Sequence, residues 1–129
     1  MFIRRSITDV LMRRAKNSRC LLLTGPRQVG KSTLLKKIYP EVKYYTFDDR
    51  VLLTSATEDP KLFLKNIPKP SILDEVQYAK DLFPYIKIEC DKDERYENYY
   101  LTGSQQMKLM AKAKESLAGR VSILELQGL

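Results

Sequence analysis

Short apolar runs and amphipathic stretches alternate along the chain. Five runs rich in β-branched, leucine or aromatic residues are bounded by turn residues or acids, as is typical of strands buried in a parallel sheet. They lie at residues 20–24, 42–47, 71–73, 98–102 and 121–126. Between them, helices are predicted at residues 6–17, 31–38, 51–57, 60–66, 78–90 and 105–117, and Pro84 is expected to kink or divide the fifth. This alternation predicts an α/β fold, with a mostly parallel five-stranded sheet covered by helices on both faces.

The junction between the first predicted strand and the second predicted helix carries a phosphate-binding motif. Residues 25–32, GPRQVGKS, fit the pattern G-x-x-x-x-G-K-[S/T]. Glycines let backbone N–H groups wrap around phosphates, and the helix that follows presents its positive end to the same anion. We expect Lys31 to reach the β- and γ-phosphates of ATP and the Ser32 hydroxyl to bind Mg²⁺. The residues expected to contact the nucleotide are Gly25, Pro26, Arg27, Gln28, Val29, Gly30, Lys31, Ser32 and Thr33.

Two acidic residues end the third predicted strand. The apolar pair Ile72-Leu73 leads directly into Asp74 and Glu75, and a carboxylate at such a strand end can reach the metal shell beside a phosphate-binding loop. We expect Asp74 to bind the Mg²⁺ ion and Glu75 to orient and activate the attacking water. Gln77 either helps to position that water or is a solvated residue at the start of a helix.

Other predicted strands also end in polar residues. Ligands bind at the carboxyl ends of the strands in an open α/β sheet, so the hydroxyl of Thr102 or Ser104 is expected to touch the γ-phosphate or the water. The sequence does not choose between these two residues, and an ordinary turn with a helix cap is the alternative. Asp48 and Asp49 are interpreted as turn residues in preference to residues that line the site. Arg120 is expected to act as an arginine finger, in cis or toward a neighbouring subunit, with a surface arginine as the alternative.

The charge of the chain is unevenly distributed. Residues 1–40 hold ten Lys and Arg residues and one acid, whereas residues 41–129 are slightly acidic. Part of the basic excess suits phosphate binding, and we interpret the rest as a solvated face, with a nucleic-acid surface as the alternative. Cys20 and Cys90 are interpreted as reduced thiols of a cytoplasmic protein. The lack of histidine argues against zinc sites, and no apolar run approaches the ~20 residues that a membrane span needs.

Four short strings together resemble a known family. TGPRQVGKST at residues 24–33, LDEVQ at 73–77, LTGSQ at 101–105 and SLAGR at 116–120 resemble the motifs of prokaryotic AAA+ ATPases of the AAA-14 type. The resemblance implies a three-layer P-loop NTPase sandwich with strand order 5-1-4-3-2. It also implies a sensor position near Thr102 or Ser104, and it places Arg120 in a Gly-Arg element of the family. Family members usually continue into a long C-terminal region, so residues 1–129 are expected to be an ATPase core truncated before that region.

The leading functional hypothesis is an ATPase that couples Mg²⁺-ATP hydrolysis to a conformational change, with ATP and ADP as ligands and self-association through a trans arginine. One alternative is a P-loop kinase, which Glu75 disfavours because such kinases generally do not place a glutamate directly after the metal-binding aspartate. The other alternative is a nucleotide-controlled interaction module, in which nucleic acid is one partner considered. A guanine-reading signature is absent from the sequence, which favours adenine.

Overall fold

The computed structural model describes residues 2–26, 30–92 and 95–126, with the backbone alone for residues 2–6. Within these ranges the elements, in chain order, are α1 (Phe2–Lys16), β1 (Cys20–Gly25), α2 (Lys31–Ile38), β2 (Lys43–Thr46), α3 (Arg50–Glu58), α4 (Pro60–Lys65), β3 (Ser71–Asp74), a 3₁₀ segment (Val76–Leu82), α5 (Phe83–Lys92), β4 (Tyr99–Ser104), α6 (Met107–Ser116) and β5 (Val121–Glu125). None of the helices in these ranges combines the length and the apolar character that crossing a membrane requires.

The five strands form one sheet of order β2-β3-β4-β1-β5, in which all neighbouring strands are parallel. Leu22 in β1 pairs with Leu101 of β4 on one side and with Ile123 of β5 on the other. The strand order expected from the family resemblance is therefore confirmed. Because the strands run in one direction, their last residues meet along a single edge. We call this the carboxyl edge; it holds Gly25, Thr46, Asp74 and Ser104.

Apolar side chains cover both faces of the sheet. Along β1, Cys20 and Leu22 belong to a core cluster on one face, whereas Leu21 and Leu23 belong to a second cluster on the other. The first cluster is completed by α3, α4, the 3₁₀ segment, α5 and α6, and the second by α1 and α2. Successive residues of a strand point to opposite faces of the sheet, and helices cover both faces. The expected three-layer sandwich is therefore confirmed.

Two helical predictions were wrong in their bounds. The helix predicted at residues 78–90 is divided beside Pro84, as expected, into the 3₁₀ segment and α5, and Ala79 inside the 3₁₀ segment has non-helical dihedral angles (φ −130°, ψ +46°). Pro84 lies in the first turn of α5, where a missing N–H costs no intrahelical bond. Moreover, α1 begins at Phe2, so Ser6 lies inside the helix and does not begin it.

A buried acid ties α5 to the segment that precedes β3. Glu89 is 8% exposed and accepts a hydrogen bond of 2.9 Å from Lys92, while the Lys69 ammonium lies 3.3 Å from its other carboxylate oxygen. Burial alone would raise the pKa of Glu89, but the hydrogen bonds and charges of Lys92 and Lys69 outweigh it and hold that pKa below its usual value. The carboxylate is therefore a stabilising charge at neutral pH.

Candidate nucleotide site

The phosphate-loop motif lies where expected, between β1 and α2. Gly30 is the N-cap of α2 in the left-handed region (φ +76°, ψ +38°). The nearest atom to a Cβ built there would be Thr33 Cβ at 3.9 Å, so the dihedral angle, rather than space, requires glycine. Arg27, Gln28 and Val29 lie outside the described residues.

The Lys31 side chain turns back toward the end of β1. It is 6% exposed, and its ammonium donates to the carbonyl oxygens of Gly25 and Pro26, both at 3.0 Å. These bonds place a positive charge at the start of the loop, beside the carboxyl edge. On α2, Ser32 is partly buried and Thr33 is exposed.

Hydroxyl groups from two neighbouring strands hold both carboxylate oxygens of Asp74. This residue ends β3 and is 7% exposed. Thr102 of β4 donates to Oδ1, and Tyr44 of β2 donates to Oδ2 at 2.6 Å. Both donors are neutral, so they orient the carboxylate without removing its negative charge.

Tyr44 is a site residue that the sequence analysis missed. The pKa of the Tyr44 phenol is raised to about 12, first by burial and then by the hydrogen bond to Asp74 and the charge of that carboxylate. The Thr46 and Ser32 hydroxyls have a smaller, opposite effect on this pKa. Its ring also lies 3.7 Å beneath the Lys36 ammonium. Tyr44 thus connects Asp74 of β3 with two residues of α2.

Glu75 adopts an unusual backbone conformation directly after β3. Its φ of +60° and ψ of +51° lie in the left-handed region, which costs a non-glycine residue about 1–3 kcal/mol. Its N–H donates to Thr102 Oγ1 at 3.1 Å, and its Oε1 accepts a bond of 3.0 Å from the Gln77 side-chain amide. A strained backbone held on several sides fixes the direction in which the Glu75 carboxylate points.

A third acid joins Asp74 and Glu75. One carboxylate oxygen from each of Asp48, Asp74 and Glu75 lies within 4.8 Å of the others. The interpretation of Asp48 as a turn residue was therefore incomplete, whereas Asp49 caps α3 by accepting from Val51 N at 2.9 Å. Clustered carboxylate oxygens are the ligands that Mg²⁺ prefers, so the residues at this edge fit a divalent cation.

Thr102 and Ser104, left open by the sequence, occupy different positions. Thr102 is fully buried and bonds Asp74 and the Glu75 N–H. Ser104 lies beside Gly25 in the sheet register, and its N–H donates to Gln77 Oε1 at 3.1 Å. Its own hydroxyl is buried and has no hydrogen-bond partner among the described residues. Thr102 therefore holds the acids, while Ser104 presents a hydroxyl beside the phosphate loop.

Arg120 lies at the opposite edge of the sheet. It directly precedes β5, and its carbonyl accepts from Cys20 N at 3.0 Å, at the first residue of β1. A strand of six residues separates it from the phosphate loop by roughly 16–20 Å. Of the alternatives left open for Arg120, an arginine finger in cis is therefore contradicted by its position. Arg120 instead donates two bonds of 3.0 Å to Asp91, and hydrogen bonds from Arg120 hold the pKa of Asp91 below its usual value.

Comparison with solved structures places this architecture among known folds. The chain is similar to a DNA replication initiation factor, with a TM-score of 0.55 at 15% sequence identity over 97% of this chain and 46% of that one. It is also similar to AMPPCP-bound DnaA from Aquifex aeolicus, with a TM-score of 0.54 at 13% identity over 95% of this chain and 45% of that one. At such low identity, these likenesses establish the fold.

Comparison of sequences places the chain in a family. It is 36% identical, over 131 aligned residues, to an uncharacterized protein of Mycobacterium bovis and to an uncharacterized protein of Mycobacterium tuberculosis. The alignment spans this whole chain but 30% of the length of each relative. The AAA domain family AAA-14 matches residues 17–129. The chain therefore belongs to the AAA-14 family of AAA domains, which are nucleotide-binding proteins of the P-loop ATPase class.

Proposed function

We propose that this chain binds Mg²⁺-ATP and hydrolyses it to ADP and phosphate. The observation that carries the proposal is the placement of Glu75 beside the oriented carboxylate of Asp74, at the edge where the phosphate loop begins. An acid held in one direction next to a metal-binding acid suits the activation of water for attack on a phosphoryl group.

Nucleotide binding is supported by the loop and its lysine. The Lys31 ammonium donates to the carbonyl oxygens of Gly25 and Pro26. We expect it to exchange these neutral acceptors for the β- and γ-phosphate oxygens, because charge-assisted bonds are roughly twice as strong. DnaA of the same fold binds AMPPCP, an analogue of ATP, which supports ATP as the ligand here.

Mg²⁺ binding is supported by the donors at the carboxyl edge. Asp74 and the Ser32 hydroxyl would hold the ion, and Asp48 is placed to join them directly or through water. When bound, the ion would neutralise negative charge on the phosphate oxygens. Thr102 and Tyr44 serve this site by orienting Asp74, since hydrogen bonds to a ligating carboxylate fix its direction.

For the chemical step, Glu75 would accept a proton from water as the water oxygen forms a bond to the γ-phosphorus. The bond from that phosphorus to the bridging oxygen breaks, and ADP leaves with the electron pair. Lys31 would stabilise the charge that develops on the transferred group, and Ser104 would contact the γ-phosphate or the water. Arg120 would contribute only to the site of a neighbouring copy of the chain, because it lies far from its own.

Coupling of hydrolysis to conformational change belongs to the same proposal. The chain spans 30% of the length of each relative.

Phosphate release from Mg²⁺-ATP, measured together with nucleotide affinity, tests the proposal. Glu75→Gln is expected to reduce turnover to a small residual rate while leaving nucleotide affinity within a factor of a few, and Lys31→Ala is expected to weaken binding itself. Glu115→Gln, an equivalent change at an exposed glutamate of α6, is the matched control. Binding without turnover in the unaltered chain would favour the nucleotide-controlled interaction module, and transfer of phosphate to a small molecule would favour a kinase. Failure to bind nucleotide would reject the proposal.

A further inference from the structure

The side chain of Gln77 connects the candidate base to the end of β4. Its Nε2 donates to Glu75 Oε1 at 3.0 Å, and its Oε1 accepts from the Ser104 N–H at 3.1 Å. Gln77 is partly buried in the 3₁₀ segment that follows Glu75. One amide group thus spans two elements of the site.

The two contacts have complementary polarity. A carboxylate can only accept and a backbone N–H can only donate, so the neighbours of Gln77 allow one orientation of its amide. Glutamate would lose the donor, methionine would lose both functions, and asparagine has a side chain one methylene shorter. The position therefore uses the specific chemistry of glutamine, which a solvated residue at a helix start would not require.

The end of β4 is closely packed around this amide. A Cβ on Gly103 would lie 2.5 Å from Leu109 Cδ2, 3.4 Å from Val76 Cγ2 and 3.5 Å from Gln77 Oε1. Ser104, the next residue, is the register partner of Gly25, the first residue of the phosphate loop. A displacement of the loop at Gly25 would therefore be transmitted through Ser104 to Gln77 and on to the Glu75 carboxylate.

We propose that Gln77 is a positioning residue. It orients the Glu75 carboxylate for hydrolysis and makes that orientation depend on the position of β4 beside the phosphate loop. This inference rests on the proposed ATPase function. Glu75 carries out the chemistry, and Gln77 acts only through it.

The test compares Gln77→Met, which removes both contacts, with Gln77→Glu, which keeps the acceptor for Ser104 N–H but replaces the donor to Glu75 with a like charge. We expect both variants to reduce kcat about 10- to 100-fold, the usual effect of losing a partner that orients a site residue. KM and nucleotide affinity should stay within a factor of about two, because the hydrogen bonds of Gln77 to described residues go to Glu75 and Ser104 and not to the loop. Gln106→Met is the matched control, since Gln106 is exposed and makes no side-chain capping bond.

A double variant separates positioning from general damage. We combine Gln77→Met with Glu75→Ala, because a glutamine at position 75 would still accept the bond from Gln77. If Gln77 acts through Glu75, the double variant should turn over no more slowly than Glu75→Ala alone. A further loss of kcat in the double variant, or a change in KM equal to the change in kcat, would overturn the inference.

Urea unfolding of the same variants gives a readout that does not depend on turnover. The shift in midpoint for the double variant should be smaller than the sum of the single shifts, because both substitutions remove the same contact. Additive shifts would refute the link between Gln77 and Glu75, even if the ATPase proposal held. If the midpoint shifts are not additive but the unaltered chain does not hydrolyse ATP, the contact between Gln77 and Glu75 stands. The ATPase proposal and the positioning role of Gln77 are then rejected.

Discussion

Replacing Thr102 with valine removes one hydroxyl group that two functional residues share. The side chain is fully buried, donates to Asp74 Oδ1 and accepts from the Glu75 N–H at 3.1 Å. Valine has nearly the same shape, so the substitution deletes these two hydrogen bonds without opening a cavity.

The size of the expected destabilisation follows from the two groups that lose their hydrogen-bond partner, the Asp74 carboxylate and the Glu75 N–H. A hydrogen bond to a charged group contributes about 1.5–3 kcal/mol, and a buried N–H without a partner costs about 1–3 kcal/mol. Asp74 keeps its bond from Tyr44, and Glu75 is partly exposed, so water can replace part of the loss. We therefore expect Thr102→Val to lower the free energy of unfolding by about 2–3 kcal/mol, near the lower end of the sum.

The matched control is Thr102→Ser, which keeps the hydroxyl and loses one methyl group. This substitution should lower the free energy of unfolding by about 1 kcal/mol, because it removes a buried methyl group and leaves a small cavity. The assay is equilibrium urea unfolding without nucleotide or divalent cation, which isolates the folded-state hydrogen bonds from ligand binding. If Thr102→Val were no less stable than Thr102→Ser, the hydroxyl would not hold the two acids.

Three further predictions concern other parts of the chain. Glu89→Gln should lower the free energy of unfolding at pH 7. The difference in stability between this variant and the unaltered chain should shrink as pH falls below about 4.5 and through the lowered pKa of Glu89 in the folded state, because protonation removes the same charge from the unaltered chain. Urea unfolding at pH 7 and pH 3 checks this. Hydrogen bonding to Cys90 and burial raise the pKa of Cys20, so both buried thiols should react with iodoacetamide far more slowly in the folded chain than in urea. A rapid native reaction would contradict that burial. Arg120→Ala should leave nucleotide affinity unchanged, and if Arg120 acts in trans, mixing this variant with Lys31→Ala should restore part of the turnover that each lacks alone. Failure of mixing to restore activity would argue against the trans role.

The architecture was predictable because its signals are local. The run from Cys20 to Leu23 is apolar throughout, as burial on both faces of a parallel sheet requires, and Thr24 leads from it into a glycine motif that α2 continues. Each strand could be recognised from a few consecutive residues. The order of the strands came from the family resemblance, because no local pattern of hydrophobicity encodes which strands are neighbours.

The contacts within the site were less predictable because they join residues that are distant in sequence. Tyr44 and Asp74 are 30 positions apart, and Thr102 and Asp74 are 28 positions apart. Tyr44 was overlooked because an aromatic residue in a strand is usually assigned to packing. The sequence leaves Arg120 as an arginine finger in cis, one in trans or a surface arginine, and the cis alternative fails because Arg120 precedes a parallel strand, whose first residues lie at the far edge of the sheet.

The hydrogen bonds at the carboxyl edge divide the site into a fixed part and a part that can change. Hydroxyl groups from β2 and β4 hold Asp74, while β4 and Gln77 hold Glu75. Since the paired strands resist relative movement, Asp74 and the backbone of Glu75 keep their positions as a unit. The Lys31 ammonium, in contrast, is held by loop carbonyl groups, which phosphate oxygens can replace at a gain in electrostatic energy. Nucleotide binding is therefore expected to rearrange the loop around Asp74, which is already in position, and the link from Gly25 through Ser104 to Gln77 is the route by which that rearrangement would reach the side chain of Glu75.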